Sequence, residues 1–240
     1  MIKTFIILNR KYEQERYNHL KKQITEFNLN NILDINYLDN LTWKSEISDK
    51  FMKKHCIDDY VMKKHGRSMK KKPLTKGEVS LFINYIKILE NIIKNNSNEK
   101  YILILESDVI FKENFEIYLN EILNNLTNLD DLDILNIGEG SENWVIRNGY
   151  PKTKPILVNN YKFYKENVNK WAEGIIWKVS SIKKFLDYYN KTKIIDGPID
   201  TKMDIFAKEN ENFNLYWPEK TIVAQGTYKK YGLFKSTLDH

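Results

Sequence analysis

Short apolar runs alternate along this chain with longer segments in which apolar residues recur at helical spacing, and the alternation begins near the first residue. The runs at 2–8, 32–38 and 101–105 predict strands, whereas 12–27 and 75–95 predict helices. Such alternation is typical of an α/β protein with a mainly parallel central sheet flanked by helices and joined by right-handed crossovers. We therefore expect a sheet whose carboxyl edge binds the ligand.

The helix predicted at 75–95 has the clearest pattern. Its apolar face is marked by Val79, Phe82, Ile83, Ile86, Leu89 and Ile93. Thr75 and Glu78 have the spacing of a capping box at its start, which gives Glu78 a structural reason to be there. The other predicted elements are helices at 43–55, 114–126, 180–190 and 198–209, strands at 132–137, 171–178, 213–216 and 220–224, and a pair of strands near 156–164.

Seven Lys or Arg residues occur between Lys63 and Lys76 without one acidic residue, and they supply much of the net charge of +6. Because like charges repel, this segment predicts an open, solvated loop over 63–73 that ends at Pro73. No RRM, zinc-finger or helix-turn-helix pattern accompanies it, which argues against nucleic acid as a partner. An anionic acceptor, or peripheral contact of 63–76 with a membrane, would suit this charge.

Length, cysteine content and the longest apolar runs bound the organisation of the chain. With 240 residues and no repeat or linker, we expect a single domain over 1–240 with a C-terminal tail at 227–240. The lone Cys56 cannot form an internal disulfide, and the first residues do not resemble a secretory signal. Apolar runs such as 101–105 are far shorter than the ~20 residues needed to cross a bilayer. We expect a soluble protein of a reducing compartment, the cytoplasm.

Glu106 and Asp108 stand two residues apart directly after the apolar run at 101–105. If the strand continues, both carboxylates point to the same side at the carboxyl edge of the sheet. Mg²⁺ and Mn²⁺ prefer oxygen ligands and commonly take one or two carboxylates, with diphosphate oxygens and water at the other positions. The pair predicts such a metal site, although an acid-x-acid pair also occurs at solvated strand ends.

Other polar residues would share this edge. Asn9 and Arg10 follow the first strand, where an amide can read a base edge and a guanidinium can pair with phosphate or carboxylate. Asp200 and Asp204 lie one turn apart on a predicted helix, and one of them could be a general base. Acids near a helix start are also favoured by the dipole alone. The chain has no P-loop or dinucleotide-binding glycine motif, which argues against a P-loop NTPase and against a dinucleotide enzyme.

Several segments carry a pattern when they are read together. They are IILNRKYEQER, LTKGEVSLFINY, ILILESDVIFKENF, WAEGIIWKVSSIKKFL, GPIDTKMDIF and the closing YWPEKTIVAQG. In this order, from residue 2 to about 226, they resemble glycosyltransferase family 25, which includes bacterial lipooligosaccharide galactosyltransferases and collagen galactosyltransferases. The resemblance implies a GT-A-like nucleotide-diphospho-sugar transferase fold, transfer with inversion, usually from UDP-galactose, and Mn²⁺ or a similar ion such as Mg²⁺.

The resemblance also implies roles for individual residues. Glu106 and Asp108 match the acidic metal and donor motif, and Asp200 matches a late aspartate of the family. The positions that match donor-side residues are Asn9, Arg10, Arg16, Gly77, Glu78 and Gln225. The family usually has Glu-Asp-Asp where this chain has Glu106-Ser107-Asp108, and a Cys with a later Ser-His where it has Ser80 and Asn84-Tyr85. We count Ser107 with the donor-binding residues.

The expected reaction moves a hexose from a UDP-sugar to a hydroxyl of a glycan, glycolipid or protein. Galactose is the first choice of sugar, with glucose and N-acetylglucosamine as alternatives. Inversion needs one carboxylate base near the acceptor, and we assign that role to Asp200, with Glu173 in reserve. Two other hypotheses remain open at this point: an inactive relative that serves as a binding module, and a nucleotide-sugar hydrolase that uses the same acidic edge.

Overall fold

The computed structural model describes residues 1–57, 60–64, 67–95, 98–140, 151–166, 169, 171–227 and 230–236, with the backbone alone for 60–64 and 67–72. Within these ranges the helices are α1 Gln14–Glu26, α2 Asp49–His55, α3 Lys76–Lys94, α4 Phe115–Leu126, α5 Val179–Thr192 and α6 Ile199–Glu209. The strands are β1 Ile2–Ile7, β2 Leu33–Tyr37, β3 Tyr60–Lys64, β4 Arg67–Lys72, β5 Tyr101–Glu106, β6 Val109–Phe111, β7 Ile134–Asn136, β8 Ile156–Val158, β9 Tyr161–Lys165, β10 Gly174–Lys178, β11 Leu215–Pro218 and β12 Val223–Gln225.

One 8-stranded sheet organises the molecule, in the order β2-β1-β5-β10-β7-β11-β9-β8. β1 pairs in parallel with β2 and β5, and β7 pairs in parallel with β11. β10 runs antiparallel to both of its neighbours, and β9 runs antiparallel to β11 and β8. All the other strands of the sheet therefore share one direction, which confirms the predicted α/β class with a mainly parallel sheet.

The central strand β5 is buried along its whole length, as the apolar run at 101–105 predicts. Its side chains alternate between the two faces of the sheet, because successive residues of a strand point to opposite sides. Ile102 and Ile104 join the core that includes residues of α3, α5 and α6. Leu103 and Leu105 join the second core, which includes residues of α1 and α4. Helices thus cover both faces, and truncation of Leu103 to Ala would cost about 2–5 kcal/mol.

The capping box at the start of α3 is confirmed. The Thr75 hydroxyl accepts a hydrogen bond from the backbone N–H of Glu78 at 3.1 Å, and the Glu78 carboxylate accepts one from the backbone N–H of Thr75 at 2.8 Å. Such a pair satisfies two of the donors that a helix start leaves without a partner. The box fixes the first turn of α3, which carries Gly77, beside the ends of β1 and β5.

Two local predictions are wrong. The basic segment predicted as a loop over 63–73 forms an antiparallel hairpin of β3 and β4, because backbone pairing satisfies N–H and C=O groups and lysine is tolerated on edge strands. The helix predicted at 43–55 is a 3₁₀ turn at Lys44–Glu46 followed by α2. Ser48 causes the break, since its hydroxyl caps α2 by accepting from the N–H of Phe51 at 3.1 Å. No helix in the described ranges has the length and apolarity to span a membrane.

Candidate functional site

A cleft with an empty volume of about 590 Å³, open to solvent, lies at the carboxyl ends of β1 and β5. The start of α3 and the end of β12 complete its walls. Most of the residues predicted for the site line this cleft, namely Asn9, Arg16, Gly77, Glu106, Ser107, Asp108 and Gln225. Arg10, Glu78, Glu173 and Asp200 do not line it.

Glu106 and Asp108 are held by the segment that follows β12. The Asp108 carboxylate accepts a hydrogen bond from the Thr227 hydroxyl at 2.7 Å, and the Asp108 carbonyl accepts one from the N–H of Gly226 at 2.7 Å. The Gln225 amide lies 3.4 Å from the Glu106 carboxylate and donates to it. Both acids are buried, with 8% and 2% of their surface exposed. The two carboxylates are therefore fixed before any ligand arrives.

The electrostatics of this edge are unfavourable for several acids at once. The pKa of Glu106 is raised well above its ordinary value, first by burial and then by the charges of Asp108, Glu173 and Asp200, with Arg16 opposing the rise. A divalent cation would offset this accumulation of negative charge. Within the described ranges no group of three or more His, Cys, Asp or Glu residues forms a ready-made metal cluster. Two carboxylates nevertheless fit a hard cation that takes its remaining ligands from diphosphate and water.

Arg16 and Ser107 belong to a buried network that also includes Glu13. The Arg16 guanidinium donates to the Ser107 hydroxyl at 2.7 Å and to the Glu13 carboxylate at 3.2 Å. Ser107 in turn donates to Glu13 at 2.6 Å. An aspartate at position 107 could not donate this bond and would face the Glu13 charge. The serine therefore suits its surroundings, and the acid that pairs with Arg16 comes from the residue just before α1.

The other predicted residues at the first strand and at α3 differ in their outcome. Asn9 lines the cleft and donates from its side chain to the Leu41 carbonyl at 3.1 Å. Arg10 is turned away, because its guanidinium pairs with Asp39 and lies 5.8 Å from the centre of the Tyr37 ring. Gly77 lines the cleft, whereas the Glu78 carboxylate is engaged in the capping box.

Glu173 and Asp200 lie close enough to the acidic pair to perturb it. Glu173 is fully buried; one of its oxygens accepts from the N–H of Gly140 at 2.6 Å, and the other has no hydrogen-bond partner in the described part of the chain. Burial raises the pKa of Glu173 to about 7, with the charges of Asp108 and Asp200 adding to the rise and the Gly140 N–H opposing it. Such a value suits a general base near neutral pH.

Asp200 is partly exposed in the first turn of α6. Its carboxylate accepts from the N–H of Trp171 at 3.1 Å and from the N–H of Thr201 at 2.7 Å. The positive end of the α6 dipole also stabilises a negative charge there. The alternative acid, Asp204, is buried and accepts from the N–H of Asn169, so it is the less accessible of the two.

Sequence reasoning missed Trp43, which lines the cleft and stacks on Tyr12 with the ring centres 5.0 Å apart. The loop that carries it is tied down through Thr42, whose carbonyl accepts from Ser80 at 2.8 Å and from Asn84 at 2.9 Å. Ser80 and Asn84 are positions at which the chain departs from the family pattern, and here they hold this loop. A lone tryptophan soon after the second strand was the available signal.

Thr227 and Ser236 also line the cleft and were not predicted. Described residues of the segment expected as a C-terminal tail contact the cleft and its surroundings: the Lys235 carbonyl accepts from Arg16 at 2.9 Å, and the Tyr231 hydroxyl donates to Glu139 at 2.6 Å. No local sequence pattern predicts these contacts, because they join residues that are far apart in the sequence.

The sheet places an acid-x-acid pair, an arginine and an asparagine around one cleft, as the resemblance to a glycosyltransferase family implies. The family described as "Glycosyltransferase family 25 (LPS biosynthesis protein)" matches residues 1–203, and the chain belongs to this family. The α/β architecture agrees with the GT-A-like fold that the resemblance implies.

Two curated relatives are each named "Glycosyltransferase 25 family member". The protein from Aedes aegypti is 24% identical over 161 residues, and the protein from Anopheles gambiae is 23% identical over 161 residues. Each match covers 64% of this chain and 24% of the relative, so the chain spans about a quarter of the length of the relatives that it matches.

Solved structures give weaker likenesses. The galactosyltransferase LgtC in complex with donor and acceptor sugar analogs has a TM-score of 0.44 and 13% identity, over 99% of this chain and 79% of that one. An active-site mutant of LgtC has a TM-score of 0.44 and 11% identity, over 90% and 72% of the two chains. Mouse xyloside xylosyltransferase 1 in its apo form has a TM-score of 0.35 and 12% identity, over 88% of this chain and 83% of that one.

Proposed function

We propose that this chain is an inverting, metal-dependent glycosyltransferase that moves a hexose to a hydroxyl of a glycan, glycolipid or protein. Galactose, taken from UDP-galactose, is the first candidate for the hexose. The observation that carries this proposal is the buried pair Glu106 and Asp108 at the end of β5, in a cleft that also presents Asn9 and Arg16. Family membership supports the same class of activity.

Glu106 and Asp108 would hold Mn²⁺ or Mg²⁺ at the donor end of the cleft. When bound, the ion would stabilise the charge that develops on the nucleotide diphosphate as the sugar leaves. The hydrogen bond from Thr227 keeps the Asp108 carboxylate oriented, which is the usual role of a group behind a ligand. Trp43 offers an aromatic surface for the nucleobase, and the Lys44 ammonium in the same wall would attract the diphosphate.

Asp200, which lies outside the walls of this cleft but close enough to Glu106 to raise the pKa of that acid, is the proposed base for the acceptor. The acceptor hydroxyl must attack the anomeric carbon on the face opposite the diphosphate, and a carboxylate that receives its proton contributes typically ~10²–10⁴-fold. Asp200 is partly exposed and its two backbone hydrogen bonds fix its direction, so an acceptor can reach it. Glu173 has the better matched pKa of about 7 but no exposed surface, so it remains the reserve candidate.

A panel of UDP-, GDP- and ADP-sugars, assayed with Mn²⁺ or with EDTA, tests this proposal. The readouts are nucleotide diphosphate release, with and without acceptor glycosides, and donor-induced thermal stabilisation. We expect metal-dependent cleavage of one UDP-hexose that Asp108→Asn abolishes. The matched control is Glu113→Gln, an exposed acid soon after β6, which should retain the activity.

The other outcomes separate the competing hypotheses. Free sugar released at the full rate without any acceptor would identify a nucleotide-sugar hydrolase instead. Donor binding without cleavage, or no binding across the panel, would favour a non-catalytic binding module.

A further inference from the structure

Trp171 has a backbone conformation that is rare for a large residue. Its φ of 62° lies in the left-handed region, and 36% of its surface is exposed. Bulky residues avoid this region because the side chain crowds the neighbouring carbonyl, so the conformation costs free energy and persists only where the surroundings enforce it. Trp177 and Trp217, in contrast, are buried in the core with 0% and 4% exposed.

Contacts on both sides of the residue enforce this conformation. The N–H of Trp171 donates to the Asp200 carboxylate at 3.1 Å, and its carbonyl accepts from the Asn136 side chain at 3.1 Å. The indole ring lies directly on Gly140, where an added Cβ would come within 1.6 Å of a ring carbon. The ring is therefore fixed over the segment that also holds Glu173 through the Gly140 N–H.

The chemistry around the ring suits a sugar. An indole presents a broad apolar face, and the C–H groups on one side of a pyranose ring cover such a face well. The carboxylate of Asp200, which accepts from the backbone N–H of Trp171, can also accept hydrogen bonds from sugar hydroxyls. An apolar surface with a few fixed polar groups is the usual composition of a small-molecule subsite. A linear lysine-type side chain would cover only part of the indole.

We infer that Trp171 is the platform of an acceptor subsite that binds a pyranose ring, and that the acceptor is therefore a glycan or glycoside rather than a hydroxylated side chain of a protein. The inference rests on the proposed function, because Trp171 adjoins Asp200, the proposed base. Stacking on Trp171 orients the acceptor sugar so that one of its hydroxyls meets this carboxylate.

Saturation-transfer NMR with methyl β-galactoside, methyl β-glucoside and methyl β-N-acetylglucosaminide tests the subsite without donor or metal. Trp171→Gly removes the ring and accepts the positive φ, so it isolates the loss of stacking from backbone strain. We expect wild-type binding of at least one glycoside, about tenfold weaker in this variant and within about threefold of wild type in Trp171→Phe. Phe27→Ala, at an exposed aromatic elsewhere, should bind as wild type does.

Kinetics then separate the two proposals. With UDP-hexose and the bound glycoside, Trp171→Gly should raise the acceptor KM about tenfold and leave the donor KM unchanged. No glycoside binding, binding that is equal in Trp171→Gly, or transfer to a hydroxylysine peptide independent of Trp171 would overturn the subsite. If Trp171→Gly does not fold, Gly140→Ala displaces the same ring and must weaken glycoside binding. Glycoside binding through Trp171 without UDP-sugar cleavage would retain the subsite and refute the transferase.

Discussion

Glu173 makes the stability of this protein depend on pH in a direction that can be tested. Burial raises the pKa of this carboxyl from 4.5 to about 7. Each pKa unit is worth 1.36 kcal/mol, so the shift corresponds to about 3 kcal/mol. Below pH 4.5 the carboxyl is protonated in both the folded and the unfolded chain, and this contribution to the free energy of unfolding is fully present. It is lost as the pH rises through the folded pKa of about 7, because the unfolded chain, with the lower pKa, releases the proton first.

Glu173→Gln keeps the shape of the side chain and removes the titration. We expect urea unfolding in EDTA to show that the free energy of unfolding of the variant, relative to that of the wild type, is higher at pH 8 than at pH 5 by about 2–3 kcal/mol. Glu106 titrates in both proteins, and removal of the Glu173 charge lowers the pKa of Glu106 in the variant, which adds to the same gain. The exposed acid change Glu211→Gln should shift the difference by less than about 0.5 kcal/mol. An equal effect of Glu173→Gln at both pH values would refute the argument.

Three further predictions concern the cleft. Asp108→Asn should abolish metal-dependent UDP release more completely than Asp200→Asn, which should lower kcat by about 10²–10⁴-fold; comparable losses would contradict the two roles. Thr227→Val removes the 2.7 Å hydrogen bond to Asp108 and should weaken Mn²⁺ binding about 10-fold or more in a metal titration, whereas unchanged affinity would show that this bond orients nothing. Ser107→Ala leaves Glu13 and Arg16 without a buried hydroxyl between them, and urea unfolding should show a loss of about 1–3 kcal/mol; a neutral result would mean that the pair closes the gap.

The sequence was sufficient for features that depend on local pattern. The buried strand β5, with carboxylates at and just beyond its end, follows from a short apolar run between polar segments. The helix α3 follows from its apolar face and its capping box. In both cases the residues that decide the structure are within a few positions of one another. Their placement at one edge of the sheet then follows from the common direction of the parallel strands.

Contacts between distant residues could not be predicted in the same way. The network of Glu13, Arg16 and Ser107 joins α1 to the end of β5 across about ninety positions. The positive φ of Trp171 depends on Asn136 and Asp200, and no local rule would place a tryptophan in that region. The loop predicted for the basic segment was wrong for a different reason. Charge repulsion favours an open loop, but backbone pairing within the segment outweighs it and forms the hairpin of β3 and β4.

The reversal of β10 explains why the acidic edge is so crowded. Glu106 and Asp108 come at the end of a parallel strand, whereas Glu173 comes directly before its strand, β10. Because β10 runs antiparallel to β5, with Gly174 opposite Leu105, its beginning lies at the edge where β5 ends. The N–H of Glu106 donates to the Glu173 carbonyl at 3.2 Å, which locks the two strand ends together. One reversed strand thus brings a third carboxylate to the acidic edge, and the resulting repulsion is the reason that the proposed divalent ion should stabilise the fold as well as serve the reaction.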